Sequence, residues 1–186
     1  MSVVKILVEL VLISTWSTLK TLGECNINQG QLLDVLYRRT ESYTVSFDIK
    51  PLSVQPSWSN ILHFTIGDNR GSFGDRAPAV WFMKNSTVLY ICSDFYSSLN
   101  KCSKSKPLVI GRYHRLIIKQ RDVGLRYSIY SAFLDGKHVH HWANFTPRCF
   151  RGVKVYMSNP WYKAALATIK NFKYTNDKTE PVIYCP

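Results

Sequence analysis

Along most of the chain, apolar and polar residues take turns. In "YTVSFDI" (43–49), Tyr43, Val45, Phe47 and Ile49 fall on one side, and Thr44, Ser46 and Asp48 on the other. A period of two sends alternate side chains to opposite faces and predicts a half-buried strand. "ILHFTI" (61–66), "AVWFM" (79–83) and "TVLYIC" (87–92) predict further strands. "YHRLIIK" (113–119), "LRYSIYSAF" (125–133), "HVHHWA" (138–143), "VKVYM" (153–157) and "ATIKNFKY" (167–174) continue the series. Asp135-Gly136 inside "LDGK" predicts a tight hairpin turn between two of them. No stretch after the N-terminal segment sustains a capped helical repeat. Many short strands without helices imply an all-β protein, a two-sheet sandwich or a barrel.

One predicted strand is out of step with itself. Ile169 and the pair Phe172/Tyr174 differ in phase by one residue. A bulge near Lys170–Asn171 restores a common core face, which aromatic residues of this size call for.

The remaining composition sets the context. The chain has 186 residues, 46% apolar and 13% aromatic, enough to fill the core of one domain. Residues 1–23 read as an export signal: Lys5, then a mainly apolar run from Ile6 to Trp16, then small and polar residues. That run is too short to span a bilayer. A secreted, extracellular domain of residues 24–186 is the expectation, without a membrane span. Five cysteines then suggest bridges. Cys92 and Cys102 flank the polar segment "SDFYSSLNK" and form the easiest local pair; the pairing of Cys25, Cys149 and Cys185 stays open. Asn85 and Asn144 head N-x-S/T triplets and are candidate glycosylation sites, the second followed closely by Pro147.

The segments "SYTVSFDIKP" (42–51), "ILHFTIGDNRGSFGDRAPAVWF" (61–82), "FLDGKHVHHWANFTP" (133–147) and "VKVYMSNPWYKAALATIKNF" (153–172) carry a resemblance. In this order, over about residues 28–176, they resemble laminin-G-like, concanavalin-A-like jelly-roll domains of secreted animal proteins. The resemblance implies a two-sheet antiparallel sandwich that binds ligands at its rim or on one face. Glycans, steroids and proteins are ligands within the family, and a rim calcium ion is common.

Candidate chemistry clusters in four places. In "IGDNRGSFGDRAPAVWF", Asp68, Asn69 and Asp75 offer oxygens of the kind calcium takes. Arg70 and Arg76 oppose a cation there. The resemblance sets Asp75-Arg76 just before a strand, where an Asp–Arg pair pins the loop, so the stretch reads first as a scaffold turn and no cofactor is required. In "HVHH", period two puts His138 and His140 on one face and His141 on the other, without a complete metal-ligand set.

The formal charge of +12 is concentrated in two groups. Lys101, Lys104 and Lys106, in the loop expected after Cys102, lead on to Arg112 and Arg115. A second group comprises Arg148, Arg151, Lys154 and Lys163. Such single-sign clusters attract sulfated or phosphorylated polymers. Trp161 and Tyr162 in "SNPWYKAA" are candidate stacking contacts. Nucleic acid is not expected as a partner, since RRM, KH and zinc-finger patterns are missing. Neither is catalysis, because no pair of facing carboxylates suggests itself. The function expected is thus a secreted non-enzymatic binding or adhesion module for an acidic glycan or an extracellular protein. A secreted venom or defence effector on the same sandwich is the alternative.

Overall fold

The computed structural model describes residues 23–95, 98–124, 126–176 and 182–184. In chain order the strands begin with β1 (Cys25–Asn26), β2 (Gln31–Arg39), β3 (Tyr43–Pro51), β4 (Ser59–Thr65) and β5 (Ala79–Phe82). They continue with β6 (Val88–Phe95), β7 (Ser98–Pro107), β8 (His114–Asp122), β9 (Ser128–Leu134) and β10 (Lys137–Asn144). β11 (Phe150–Met157), β12 (Lys163–Ala164), β13 (Ala167–Asn176) and β14 (Val182–Tyr184) follow. The expected signal, residues 1–23, falls outside the described residues apart from Gly23.

The strands form two seven-stranded sheets. The first runs β1-β13-β3-β8-β9-β10, with β14 also paired to β13; the second runs β2-β11-β4-β5-β6-β7, with β12 on β4. Pairing is antiparallel except for the two-residue contact of β12 with β4. The fold is therefore the all-β, two-sheet jelly-roll sandwich that the alternation and the resemblance both imply. Among the described residues no helix is long and apolar enough to cross a membrane.

The core lies between the sheets. Val45, Phe47, Ile49, Leu116 and Ile118 of the first sheet meet Ile61, Leu62, Phe64, Val80, Leu89 and Ile91 of the second, all fully buried. Each such side chain contributes roughly 1.5–3 kcal/mol by leaving water. The bulge in β13 is present: its register against β3 shifts between Lys170 and Lys173. Asn171 takes up the extra residue at φ 54°. Ile169, Phe172 and Tyr174 all reach the core as a result, with Phe172 edge-on to Phe47 at 6.0 Å. The Asp135-Gly136 turn also forms, with φ 49° and 77°.

Three local expectations change. The segment between Cys92 and Cys102 is a hairpin rather than a loop: β6 runs on to Phe95 and β7 starts at Ser98. Cys92 and Cys102 are cross-strand partners and form the expected disulfide. Lys101, Lys104 and Lys106 consequently stand on a strand, whose alternation separates Lys101 from the other two. In β10 a register shift between His138 and His140 breaks the alternation. His138 and His141 end up ring to ring at 5.7 Å. His140 is buried instead, stacked on Trp142 at 4.3 Å and Tyr130 at 5.1 Å. Finally, β2 was not legible. As an edge strand it leaves Val35 and Tyr37 exposed, so its apolar residues do not alternate cleanly. Of the other cysteines, Cys25 is disulfide-bonded and Cys149 is free and exposed; Cys185 lies outside the described residues.

Because the bulge exists to bring Phe172 inward, Phe172→Ala is expected to lower the unfolding free energy by about 3–5 kcal/mol. Urea unfolding measures this, and a loss below about 1 kcal/mol would show that the ring is not packed as described.

Candidate functional site

The second sheet is apolar on both faces. While Val80, Leu89 and Ile91 point into the core, their neighbours Ala79, Trp81 and Cys92 form a second buried cluster with Trp58, Tyr90, Cys102 and Tyr162. An outward face this rich in aromatic residues has to be covered. Two loops cover it, the Gly-rich loop of residues 66–78 and the loop of residues 158–162.

A chain of hydrogen bonds ties both loops to the sheet through His63, which has 0% exposure. Asn60 Nδ2 donates to the Leu62 and Val80 carbonyls, while its Oδ1 accepts from the Asn159 amide. Asn159 Oδ1 in turn accepts from the amides of Trp161 and Tyr162 and shapes the turn. Asn159 Nδ2 donates to His63 Nδ1. On the far side of the ring, His63 Nε2–H donates to the Asp75 carbonyl. Only a neutral imidazole accepts on one nitrogen and donates on the other. Burial, with the Arg76 charge adding to it, pushes the His63 pKa down to about 4 even though the bond to Asp75 opposes the shift. Above the ring, Trp161 packs at 5.6 Å and Trp81 at 5.5 Å.

In the Gly-rich loop, Asp75 and Arg76 turn away from each other. Asp75 accepts backbone N–H groups of Asp68 and Ser72 on its two carboxylate oxygens. Arg76 donates to the carbonyl and side-chain oxygens of Asn69 and to Asn100 Oδ1. The loop is a scaffold turn as expected, but an ion pair does not pin it; backbone and amide contacts do. Of the oxygens considered for calcium at Asp68, Asn69 and Asp75, those of Asn69 accept from the Arg76 guanidinium and those of the Asp75 carboxylate from backbone amides. Among the described residues, His, Cys, Asp and Glu form no group of three or more suited to a metal.

The basic residues divide. Lys104, Lys106 and Arg112, with Lys137, line a groove of about 680 Å³ between β7 and the β9–β10 hairpin, at the open edge of the sandwich. Asp135 is the acidic residue of its lining. It accepts from His114 Nδ1 at 2.7 Å and from the Arg115 amide at 2.8 Å. Burial alone would raise its pKa, yet these bonds and the nearby Arg112 charge hold it below the ordinary value. The other two candidates lie elsewhere. Lys101 sits over Trp142 at 4.6 Å and Phe95 at 5.0 Å. Arg115 is ion-paired with Asp48 at 3.0 Å and donates to Ser46. In the second group, Arg148 lies over Phe73 at 3.7 Å and Arg151 over Tyr37 at 5.9 Å, apart from the groove.

Trp161 is exposed by 42%, whereas Tyr162 is half-buried against Trp81 at 5.9 Å. Asn85 is exposed in a turn. Asn144 is buried, with its amide donating to Gln120 at 2.9 Å. Sequence reasoning missed Trp58, Tyr90, Asn100 and Asn159, and the place His63 takes among them. The available signal was Trp81 and Tyr90 at positions that alternate with the core set.

No family model and no curated protein matches the chain. Solved structures do resemble it in fold. A heptameric SAP-like pentraxin from Limulus polyphemus superposes with a TM-score of 0.54 at 10% identity, over 87% of this chain and 91% of the pentraxin. Trypanosoma rangeli sialidase matches with a TM-score of 0.53 at 13% identity, over 75% of this chain and 21% of the sialidase. An endo-beta-1,4-glucuronan lyase from Trichoderma reesei has a TM-score of 0.47 at 16% identity, over 78% of this chain and 72% of the lyase. The expectation of a non-enzymatic binding or adhesion module, with its effector alternative, is corrected by the sialidase likeness. Part of an enzyme, the sialidase, has a similar fold as well as a pentraxin, so the fold does not select that function.

The buried neutral His63 makes the domain acid-sensitive. Its folded pKa lies below the usual value, so its contribution to stability is complete above about pH 6.5 and is lost as pH falls toward 4. For His63 alone the loss by pH 4 is on the order of 3 kcal/mol, and His140, also pushed down to about 4 by burial, adds to it. Thermal unfolding followed from pH 7 to 4 is expected to show a falling midpoint. His63→Gln is expected to lower the midpoint at pH 7 and flatten the decline. An unchanged slope in that variant would mean that His63 titrates normally.

Proposed function

We propose that the groove at the open edge is the ligand-contacting surface, and that its ligand is a polymer carrying sulfate or carboxylate groups. The observation behind this is the convergence of Lys104, Lys106, Arg112 and Lys137 on one groove whose carboxylate, Asp135, is already engaged by His114 and Arg115. Lys104, Lys106 and Arg112 are exposed and enter none of the ion pairs among the described residues. Strands β7 and β10 hold the cations on both walls, so a linear polyanion can meet them together. Arginine adds bidentate contacts to such groups. Residence outside the cell, from the N-terminal segment, is part of the proposal. So is the laminin-G-like subgroup, supported by the "VKVYMSNPWY" segment, whose Asn159 organises the loop over the second sheet.

Retention on a heparin column tests the groove. Replacing Lys104, Lys106 and Arg112 by Ala is expected to lower the eluting salt concentration clearly, since exposed charges act over only about 8 Å at physiological ionic strength. Arg115→Gln, which removes a charge outside the groove, is expected to elute close to the wild type. Co-elution of the triple variant with the wild type overturns the proposal.

A further inference from the structure

A second, smaller cavity lies on the covered face of the second sheet and is independent of the edge groove. Its volume is about 220 Å³, below the roughly 300–1,000 Å³ of drug-sized sites. Its walls are aromatic: Trp58 and Tyr90 meet edge to face at 5.1 Å, and Trp81 and Tyr162 at 5.9 Å. At its base the Arg76 guanidinium, 5% exposed, lies over Trp81 at 4.3 Å.

That guanidinium is a buried charge without a counter-charge. Its N–H groups meet Asn69, Asn100, the Tyr162 hydroxyl and, weakly, Cys92 Sγ, all neutral acceptors. It enters none of the ion pairs among the described residues. The charge that does stand at the cavity is another cation, exposed Arg70. A buried uncompensated cation is costly, and an anion placed against it removes much of that penalty. A second group points the same way: Trp81 Nε1–H is buried without a hydrogen-bond partner, a donor left over where such donors are normally satisfied. Burial, and after it the Arg70 charge, lower the Arg76 pKa, while Tyr162 opposes the shift in part.

We propose that this cavity binds a single ring bearing one carboxylate. The carboxylate lies against Arg76 and Arg70, where planar, charge-assisted hydrogen bonds form. The ring lies against the aromatic walls, whose faces and edges suit the face of a six-membered ring. The Gly-rich loop and the 158–162 loop thereby acquire a purpose beyond covering the sheet, because Arg70 and Arg76 come from one and Tyr162 from the other.

Intrinsic tryptophan fluorescence reads the site directly, since Trp58 and Trp81 form its walls. Titration is made with glucuronate and benzoate as the two acids, and with glucose and benzyl alcohol as their neutral counterparts. At least one acid is expected to bind saturably and at least ten-fold more tightly than its neutral counterpart; which acid does so tells a sugar ring from an aromatic one. Arg76→Gln is expected to weaken that binding at least ten-fold, while the triple variant of the edge groove binds as the wild type does. Should Arg76→Gln fail to fold, Arg70→Ala, at an exposed position, decides instead: a several-fold loss upholds the proposal and unchanged affinity overturns it. Failure of both acids to bind, or acid binding that survives in folded Arg76→Gln, also overturns it. Loss of the edge groove's heparin retention has no bearing on these readouts.

Discussion

The imidazole of His63, buried in the middle of the second sheet and held neutral, is the point on which the outer layer of the molecule depends. One nitrogen accepts from Asn159, which shapes the Trp161–Tyr162 turn, and the other donates to Asp75, which closes the Gly-rich loop. Both loops thus hang from one ring. A buried polar network of this kind holds its geometry only while every member is satisfied. The same network sets the position of Arg76, the residue after Asp75, over Trp81.

This arrangement accounts for the two apolar faces of the second sheet. The inner face forms the main core, and the outer face is closed by loops through polar bonds and aromatic contacts rather than by another layer of secondary structure. Loops attached in this way can carry charged groups at low exposure. Arg76 is the result: a guanidinium whose surroundings offer neutral oxygens and aromatic faces, and which enters no ion pair among the described residues. At the open edge of the sandwich the solution is different. There the cations stay in water, and the one carboxylate among them is tied by His114 and the Arg115 amide.

The likenesses to a pentraxin and a sialidase define the scaffold and leave the site to this chain's own residues. A sandwich of this type presents an open edge and a loop-covered face, and charge placement decides what each can meet. Here single-sign charge gathers on the edge, and a desolvated cation sits beneath the loops.

The strands β3 to β6, β8 to β11 and β13, the Asp135-Gly136 hairpin and the bulge at Asn171 were legible from residue order. Each reports a local rule: period two, a turn that needs positive φ, and the need to bury Phe172 and Tyr174 on the side of Ile169. The Cys92–Cys102 bridge was legible for the same reason, both residues lying on one short segment. Other features required distant segments to be brought together. Strand β2 hides because an edge position frees its apolar residues from alternation. The shift in β10 that parts His138 from His140, the departure of Arg115 to Asp48 and the burial of Asn144 against Gln120 all depend on which strand lies alongside. The meeting of His63, Asp75 and Asn159 depends on it too. A sequence by itself determines which faces a strand has; only the paired and packed sheets decide what each face meets, because the register between strands far apart in the chain is set by the fit of the whole core.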